Sequence, residues 1–182
     1  MDCIFCKIIA GDIPCAKVYE DDKADSLMFD LEDAVAVTAK DTARFSLYHA
    51  LTTIDYRGAE RVVRINGLDS DLWKEDIRCV VAADTELIRI PKCENKEMVL
   101  EVEAEIEKAE KEFGKEEGSV LIMAALESAK GVLNAYEVCT SSPRMIGIAL
   151  SGGDYTKDLQ TKITGTGIEL MGGRQQMIIA AR

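Results

Sequence analysis

The chain has 182 residues, a hydrophobic content of 47% and a formal net charge of −11, from 33 acidic and 22 basic residues. This length and apolar content predict one globular domain with its own core. The negative charge opposes broad contact with nucleic-acid phosphates or anionic lipid headgroups, so we expect neither nucleic acid nor a membrane as a partner.

Six cysteines, at positions 3, 6, 15, 79, 93 and 139, lack the density and regular spacing of a secreted disulfide scaffold. The first residues carry Asp2 and Lys7 and do not form the basic and apolar pattern of a secretory signal. We therefore expect a cytoplasmic protein. Cys3 and Cys6 form a C-x-x-C pair, which is half of a zinc site or a redox pair, and a zinc site would have to recruit its other ligands from scattered residues.

Short apolar or β-branched runs recur along the chain, and their starts lie 25 to 35 residues apart. They predict five strands, at residues 26–31, 61–66, 86–91, 119–126 and 145–150. Strands spaced in this way, with helical stretches between them, predict a parallel sheet joined by crossover helices.

The clearest helical stretch is residues 96–114, where one apolar stripe recurs at spacings of three or four. The stripe consists of Met98, Val102, Ile106, Ala109 and Phe113. A similar apolar face runs from Leu47 to Ile54, and a last amphipathic segment runs from about Gly167 to Ile179.

Polar residues lie within or directly after the carboxyl end of each predicted strand, where a parallel α/β fold binds its ligands. They are Asp30, Glu32, Asp33, Arg64, Asn66, Lys92, Glu94, Glu127 and Asp154. A doubly wound sheet concentrates its site at one switch point, whereas charged groups at five strand ends favour a (β/α) barrel. A complete barrel needs about 250 residues, so the sequence predicts an incomplete one.

Glu127 and Asp154 each follow an apolar strand, where core and rim meet. Mg²⁺ takes one or two protein carboxylates and leaves its other positions to water and substrate oxygens, which this pair suits. Acidic residues near a helix N-terminus are also favoured by the helix dipole, so capping of the following helices is an equal alternative.

Asp30, Glu32 and Asp33 place three like charges on one rim, which favours a cation beside them. Arg64, Arg89 and Lys92 come from neighbouring strands, although the sequence does not fix which face each side chain takes. A solvated acidic turn is the alternative. Arg64 suits either a substrate carboxylate or an ion pair with these acids, and the two interpretations do not exclude each other.

The motifs ADSLMFDLEDAV, KDTAR, VVRINGLD, IRIPK, the E-S-A-x-G stretch at 127–131 and SPRMIGIALSGGDYT resemble the β-subunit of citrate lyase, an HpcH/HpaI aldolase-like family. They occur in the family's order across residues 24–182. The resemblance implies a TIM-type barrel that cleaves a citryl thioester, linked to coenzyme A or an acyl carrier protein, into oxaloacetate and an acetyl thioester. It implies Mg²⁺ as the cofactor, and a homo-oligomer or other citrate lyase subunits as partners.

The resemblance also implies roles for individual residues. Glu127 and Asp154 match the family's metal-binding carboxylates, and Arg64 matches the arginine that holds a substrate carboxylate. Glu32 and Asp33 match catalytic acids near the metal, where they hold waters and neighbouring side chains.

The sequence departs from the family at three places. Residues 1–23 resemble the opening of histidine-triad nucleotide-binding proteins and replace the first βα unit, so we expect a foreign segment followed by a partial barrel domain at 24–182. The family's last βα units are missing, and Gly153 stands where the family usually has an acid. A non-catalytic truncated or chimeric fragment that associates through open edges, and a related malyl thioester lyase, are therefore the alternatives.

Overall fold

The computed structural model describes residues 24–182. Five strands run in the order in which they were predicted: β1 (Ser26–Asp30), β2 (Glu60–Arg64), β3 (Leu87–Ile90), β4 (Leu121–Leu126) and β5 (Met145–Leu150). The histidine-triad-like segment and the Cys3/Cys6 pair lie outside the described residues.

Seven α-helices connect and cover these strands. They are α1 (Lys40–Thr53), α2 (Trp73–Ala82), α3 (Lys96–Phe113), α4 (Ala129–Leu133), α5 (Ala135–Cys139), α6 (Gly152–Asp158) and α7 (Ile168–Ala180), and a 3₁₀ turn (Val37–Ala39) precedes α1. Within residues 24–182, none of these helices has both the length and the apolar character that a membrane crossing requires.

Helix α3 confirms the predicted amphipathic helix. It begins after Asn95, whose side chain accepts a hydrogen bond from the amide of Met98, and it ends at Gly114, whose φ of 63° suits glycine. The buried stripe is centred on Val99, Val102, Ile106 and Ala109. Phe113, predicted to belong to that stripe, is 38% exposed and stacks on Arg78 of α2.

All the strand pairs are parallel, and the strands lie side by side in chain order from β1 to β5. This order contains no reversal, so the described strands do not form the doubly wound alternative. The sheet is also not closed, since β1 and β5 are not paired with each other. The structure is therefore an α/β fold with an open parallel sheet, and the barrel remains a prediction.

The two faces of the sheet differ in character. One register row consists of Phe29, Val63, Ile88 and Ile122, and the last three are fully buried in the core with helices α2 and α3. The next row consists of Asp30, Arg64, Arg89, Met123 and Gly147. Because side chains alternate along a strand, the second row lies on the opposite face.

The N-terminal end of β4 rests on a buried ion pair between α3 and the start of β5. Glu110 accepts hydrogen bonds from both terminal nitrogens of Arg144 (2.8 and 2.7 Å) and from the amides of Gly118 and Val120. The described cysteines Cys79, Cys93 and Cys139 are free thiols. Burial raises the pKa of Cys79 to about 11 and that of Cys93 to about 12, so both stay protonated at neutral pH.

Candidate functional site

The first part of the candidate site is the turn after β1. The carboxylate of Asp30 accepts hydrogen bonds from Nε (2.8 Å) and Nη2 (2.6 Å) of Arg64 and from the amides of Glu32 and Ala34. Burial works to raise the pKa of Asp30, but these hydrogen bonds outweigh it and hold the pKa below its usual value. Asp30 is therefore a brace that fixes the turn and Arg64 together.

Glu32 is buried at the centre of a small charge network. Its carboxylate lies 3.1 Å from Nη1 of Arg64 and 2.6 Å from Nζ of Lys92. Asp33 is more exposed and lies 3.6 Å from the same lysine. The acidic turn is thus neutralised by two of the three cations that the sequence offered, and the alternative of a merely solvated turn does not describe Glu32.

Lys40, the first residue of α1, forms hydrogen bonds with this turn, and the sequence did not predict a role for it. Its Nζ donates to the carbonyl oxygens of Leu31 and Glu32, both at 2.6 Å, and its side chain is buried. The signal was the KDTAR motif, but a lysine in the first turn of a helix is ordinarily solvent-exposed.

Glu127 follows β4 and is 5% exposed. Neither of its carboxylate oxygens has a hydrogen-bond partner among the described residues. Burial raises the pKa of Glu127, and the negative charges of Glu32 and Asp154 add to this rise, while the nearby main-chain amide of Lys92 opposes it. A buried carboxylate without donors is costly, so its surroundings favour a proton or a cation.

Asp154 lies in the first turn of α6. It accepts hydrogen bonds from Nζ of Lys157 (2.7 Å) and from the hydroxyl of Ser151 (3.2 Å). These contacts, that of Lys157 above all, hold the pKa of Asp154 below its usual value, although partial burial opposes the shift. Asp154 is therefore ionised at neutral pH and available as a ligand.

Glu127 and Asp154 line one cavity of about 250 Å³. Its other lining residues are Lys92, Glu94 and Ser128. Lys92 joins this cavity to the network of Glu32, Asp33 and Arg64, so the five residues that the sequence singled out share the carboxyl edge of the sheet.

Capping does not explain Glu127. Ser128 caps α4 by accepting from the amide of Gly131, which leaves Glu127 outside the helix. Asp154 does lie in a first turn, where the helix dipole favours it, but no side chain caps α6. Metal binding and helix capping therefore apply differently to the two residues. Glu127 lines the cavity and does not cap a helix, whereas Asp154 lines the cavity and also lies where the dipole of α6 favours a negative charge.

The rest of the E-S-A-x-G stretch holds α4 against the turn after β3. Ser128 and Lys130 donate to the two carboxylate oxygens of Glu94 at 2.8 and 3.0 Å. A Cβ on Gly131 would lie 2.6 Å from the carbonyl oxygen of Cys93, so only glycine permits this approach. Sequence reasoning noted the motif without recognising this packing role.

The donor set fits a hard cation that keeps most of its waters. Among residues 24–182, no three His, Cys, Asp or Glu side chains converge into a metal-binding group. Mg²⁺ needs only one or two protein carboxylates, and the partnerless oxygens of Glu127 beside ionised Asp154 supply them. A Cβ on Gly153 would meet nothing within 4 Å, so the missing acid leaves open space there.

A family model described as HpcH/HpaI aldolase/citrate lyase matches residues 13–182. The chain belongs to this family. The match begins inside the segment that we had set apart as residues 1–23, and the domain boundary at 23/24 and the histidine-triad likeness remain predictions.

Two relatives resemble most of the chain. The citrate lyase subunit beta of Leuconostoc mesenteroides subsp. cremoris is 52% identical over 159 residues, which is 87% of this chain and 53% of that protein. A (3S)-malyl-CoA thioesterase of Cereibacter sphaeroides is 33% identical over 159 residues, covering 87% and 52%. The chain thus spans about half the length of these relatives.

A solved structure of similar fold is a citrate lyase beta subunit from Mycobacterium tuberculosis complexed with oxaloacetate and magnesium. It is 23% identical, with a TM-score of 0.68, over 87% of this chain and 64% of that chain. At this identity the likeness establishes the α/β fold of the family.

Proposed function

We propose that the chain carries the metal and substrate rim of a Mg²⁺-dependent lyase that cleaves a citryl thioester into oxaloacetate and an acetyl thioester. The observation that carries the proposal is Glu127, a buried carboxylate whose two oxygens have no hydrogen-bond partner among the described residues and which lines a cavity together with Asp154. The 52% identity to a citrate lyase subunit beta supports the substrate class.

We further propose that the described sheet is an arc of a (β/α) barrel. Its strand order without reversal and the charged residues at the carboxyl ends of all five strands support this. The thioester carrier would be coenzyme A or an acyl carrier protein, and a cytoplasmic location agrees with the free thiols of Cys79, Cys93 and Cys139.

In this proposal each rim residue has a separate task. Glu127 and Asp154 hold Mg²⁺, which when bound stabilises the negative charge that develops on the substrate oxygens. Arg64, fixed by Asp30 and Glu32, presents its guanidinium to a substrate carboxylate. Glu32 keeps Arg64 and Lys92 in place, and the more exposed Asp33 is free to hold water.

The reaction is a retro-Claisen cleavage. The tertiary hydroxyl loses its proton and becomes the ketone of oxaloacetate. The bond to the acetyl carbon breaks, and its electron pair passes to the acetyl thioester as an enolate, which takes up a proton. The geometry assigns no residue as the base.

The direct test supplies citryl-CoA with Mg²⁺ and follows oxaloacetate release. We expect release by the wild-type chain and a loss of at least about 100-fold in Glu127→Gln, because a removed metal ligand removes charge stabilisation from the transition state. Glu112→Gln, an exposed change on α3, is the matched control. Monodisperse wild-type protein that releases no oxaloacetate contradicts the proposal.

A non-catalytic, associating chain is a second candidate. Strand β5 contains no buried residue, and α7 exposes four large apolar side chains. These are Ile168, Met171, Ile178 and Ile179, with 49% to 72% of each exposed.

A third candidate function is a lyase that acts on a malyl thioester, which the 33% identity to a (3S)-malyl-CoA thioesterase favours. Substituting malyl-CoA in the same assay and measuring glyoxylate separates this function from the cleavage of citryl-CoA.

A further inference from the structure

Arg89 is a cation on the site face of the sheet for which the described residues provide no counterion. It is the third residue of β3 and lies in register with Arg64 of β2. Its Nη1 lies 3.3 Å from the sulfur of Met28, and its buried Nε has no hydrogen-bond partner in the part of the chain that the structure describes. None of the ion pairs within 4.0 Å among residues 24–182 involves Arg89.

The contrast with the neighbouring cations is clear. Arg64 is paired with Asp30 and Glu32, and Lys92 with Glu32 and Asp33. Lys157 is paired with Asp154. Arg89 is thus the one cation among these four without an acidic partner among residues 24–182, so its guanidinium is free to donate to both oxygens of a carboxylate, whereas Arg64 retains only the N–H groups that Asp30 and Glu32 do not use.

The surroundings of Arg89 favour an anion. Burial lowers the pKa of its guanidinium, and the positive charge of Arg64 lowers it further, whereas Glu127, Asp30 and Glu32 oppose the shift from a distance. An arginine remains charged in proteins even so, and a partly buried guanidinium without acceptors is costly. A ligand carboxylate would remove that cost.

The substrate chemistry offers such a carboxylate. A citryl thioester keeps two free carboxylates, and oxaloacetate also has two, whereas a malyl thioester and pyruvate have one each. We propose that Arg89 binds the second carboxylate of the substrate, so that it selects citryl over malyl thioesters. This inference rests on the proposed lyase function and adds a determinant of specificity to it.

The experiment compares the binding of a dicarboxylate and a monocarboxylate without any catalytic turnover. Freshly dissolved oxaloacetate and pyruvate are each titrated calorimetrically, in the presence of Mg²⁺, into wild type, Arg89→Met and Arg89→Lys. A charge-assisted bidentate contact corresponds to a change in affinity of about 10- to 100-fold. We expect Arg89→Met to lose about that much affinity for oxaloacetate and less than about twofold for pyruvate, and Arg89→Lys to lie between it and wild type.

The matched control is Arg61→Met. Arg61 lies at the opposite end of β2, where it pairs with Glu86, and its loss should leave the ratio of the two affinities unchanged. Equal weakening of both ligands in Arg89→Met, or no change in either, overturns the role of Arg89 while leaving the lyase proposal standing. Wild-type protein that binds neither ligand overturns both.

Discussion

Glu127 is a buried carboxylate whose two oxygens have no hydrogen-bond partner among residues 24–182, and this has consequences for stability as well as for binding. Its pKa is raised in the folded state, so folding favours its protonated form. The free energy of unfolding should therefore fall as the pH rises from the pKa of Glu127 in the unfolded chain, about 4.5, through its raised pKa in the folded protein. Above the folded pKa it should level off.

Replacing Glu127 by glutamine should change both the stability of the metal-free chain and its response to Mg²⁺. In chelator-treated buffer at pH 7 the variant should be more stable than wild type by about 1 kcal/mol, because a buried charge without partners is removed. Added Mg²⁺ should raise the melting temperature of wild type and leave that of the variant unchanged. Thermal unfolding with and without Mg²⁺ measures both effects, and a variant stabilised by Mg²⁺ as much as wild type argues against the assignment.

Lys40 is a second residue whose role depends on buried contacts. Replacing it by Met leaves the carbonyls of Leu31 and Glu32 without their donor, so Lys40→Met should cost about 2 to 3 kcal/mol. Lys111→Met, on the exposed side of α3, should stay within about 0.5 kcal/mol of wild type. Urea unfolding measures the stability of both variants. Equal stabilities of Lys40→Met and Lys111→Met would show that the hydrogen bonds of Lys40 do not stabilise the fold.

The secondary structure elements were largely predictable, because apolar β-branched runs and a 3.6-residue period act locally. The strand ends were less so, since distant carboxylates take the backbone amides there. The amide of Asn66 donates to Asp76, which ends β2 before its predicted limit. Likewise the amide of Val120 donates to Glu110, and β4 begins at Leu121 and not at 119.

The same limit applies to the candidate site. The location of Glu127 and Asp154 at the carboxyl edge of the sheet could be predicted, because Glu127 directly follows β4 and Asp154 comes in the turn of helix after β5, while their metal-binding role stays a prediction. The hydrogen bonds from Lys40 to the turn after β1 could not be predicted, nor could the lack of an acidic partner for Arg89 among residues 24–182. Both depend on which side chains meet across separate elements. The sequence predicted an ion pair between Arg64 and one of the acids at 30, 32 and 33 as one alternative, but it could not tell that Asp30 makes the bidentate contact, because this depends on the geometry of the turn.

The junction of α3, β4 and β5 depends on the buried ion pair of Glu110 and Arg144. Glu110→Ala should destabilise the fold by about 3 to 5 kcal/mol, because it strands the buried guanidinium of Arg144. Glu112→Ala, which removes an exposed pair with Arg78 on the same helix, should change stability little. Chemical unfolding measures both, and a small effect at Glu110 would contradict the structural importance of the pair.

The pH dependence of this junction has the opposite sign to that of Glu127. Burial opposes ionisation of Glu110, but the hydrogen bonds from Arg144 and from the amides of Val120 and Gly118 hold its pKa below the unfolded value. The stabilisation of the fold by ionised Glu110 should be fully present above about pH 4.5, and it should be lost as the pH falls through the lowered pKa of Glu110 in the folded protein.

The open sheet of residues 24–182 predicts that the chain associates with other chains. Strands β1 and β5 are not paired with each other, and α7 exposes Ile168, Met171, Ile178 and Ile179. Among residues 24–182 no further strand pairs with β1 or β5, and exposed strand edges and apolar side chains favour contact with another chain. We expect the mass from size exclusion with light scattering to rise with concentration, and to rise less in Ile178→Glu. A concentration-independent monomer would contradict this prediction.

We propose that the carboxyl edge of the sheet holds Mg²⁺ through Glu127 and Asp154. Calorimetric titration of Mg²⁺ into the metal-free chain tests it most directly, with Glu127→Gln and Asp154→Asn beside Glu112→Gln as the matched control. We predict one saturable site in wild type and in the control, and at least about tenfold weaker binding in each of the two site variants. Equal Mg²⁺ binding by all four proteins, or none by wild type, would contradict the claim.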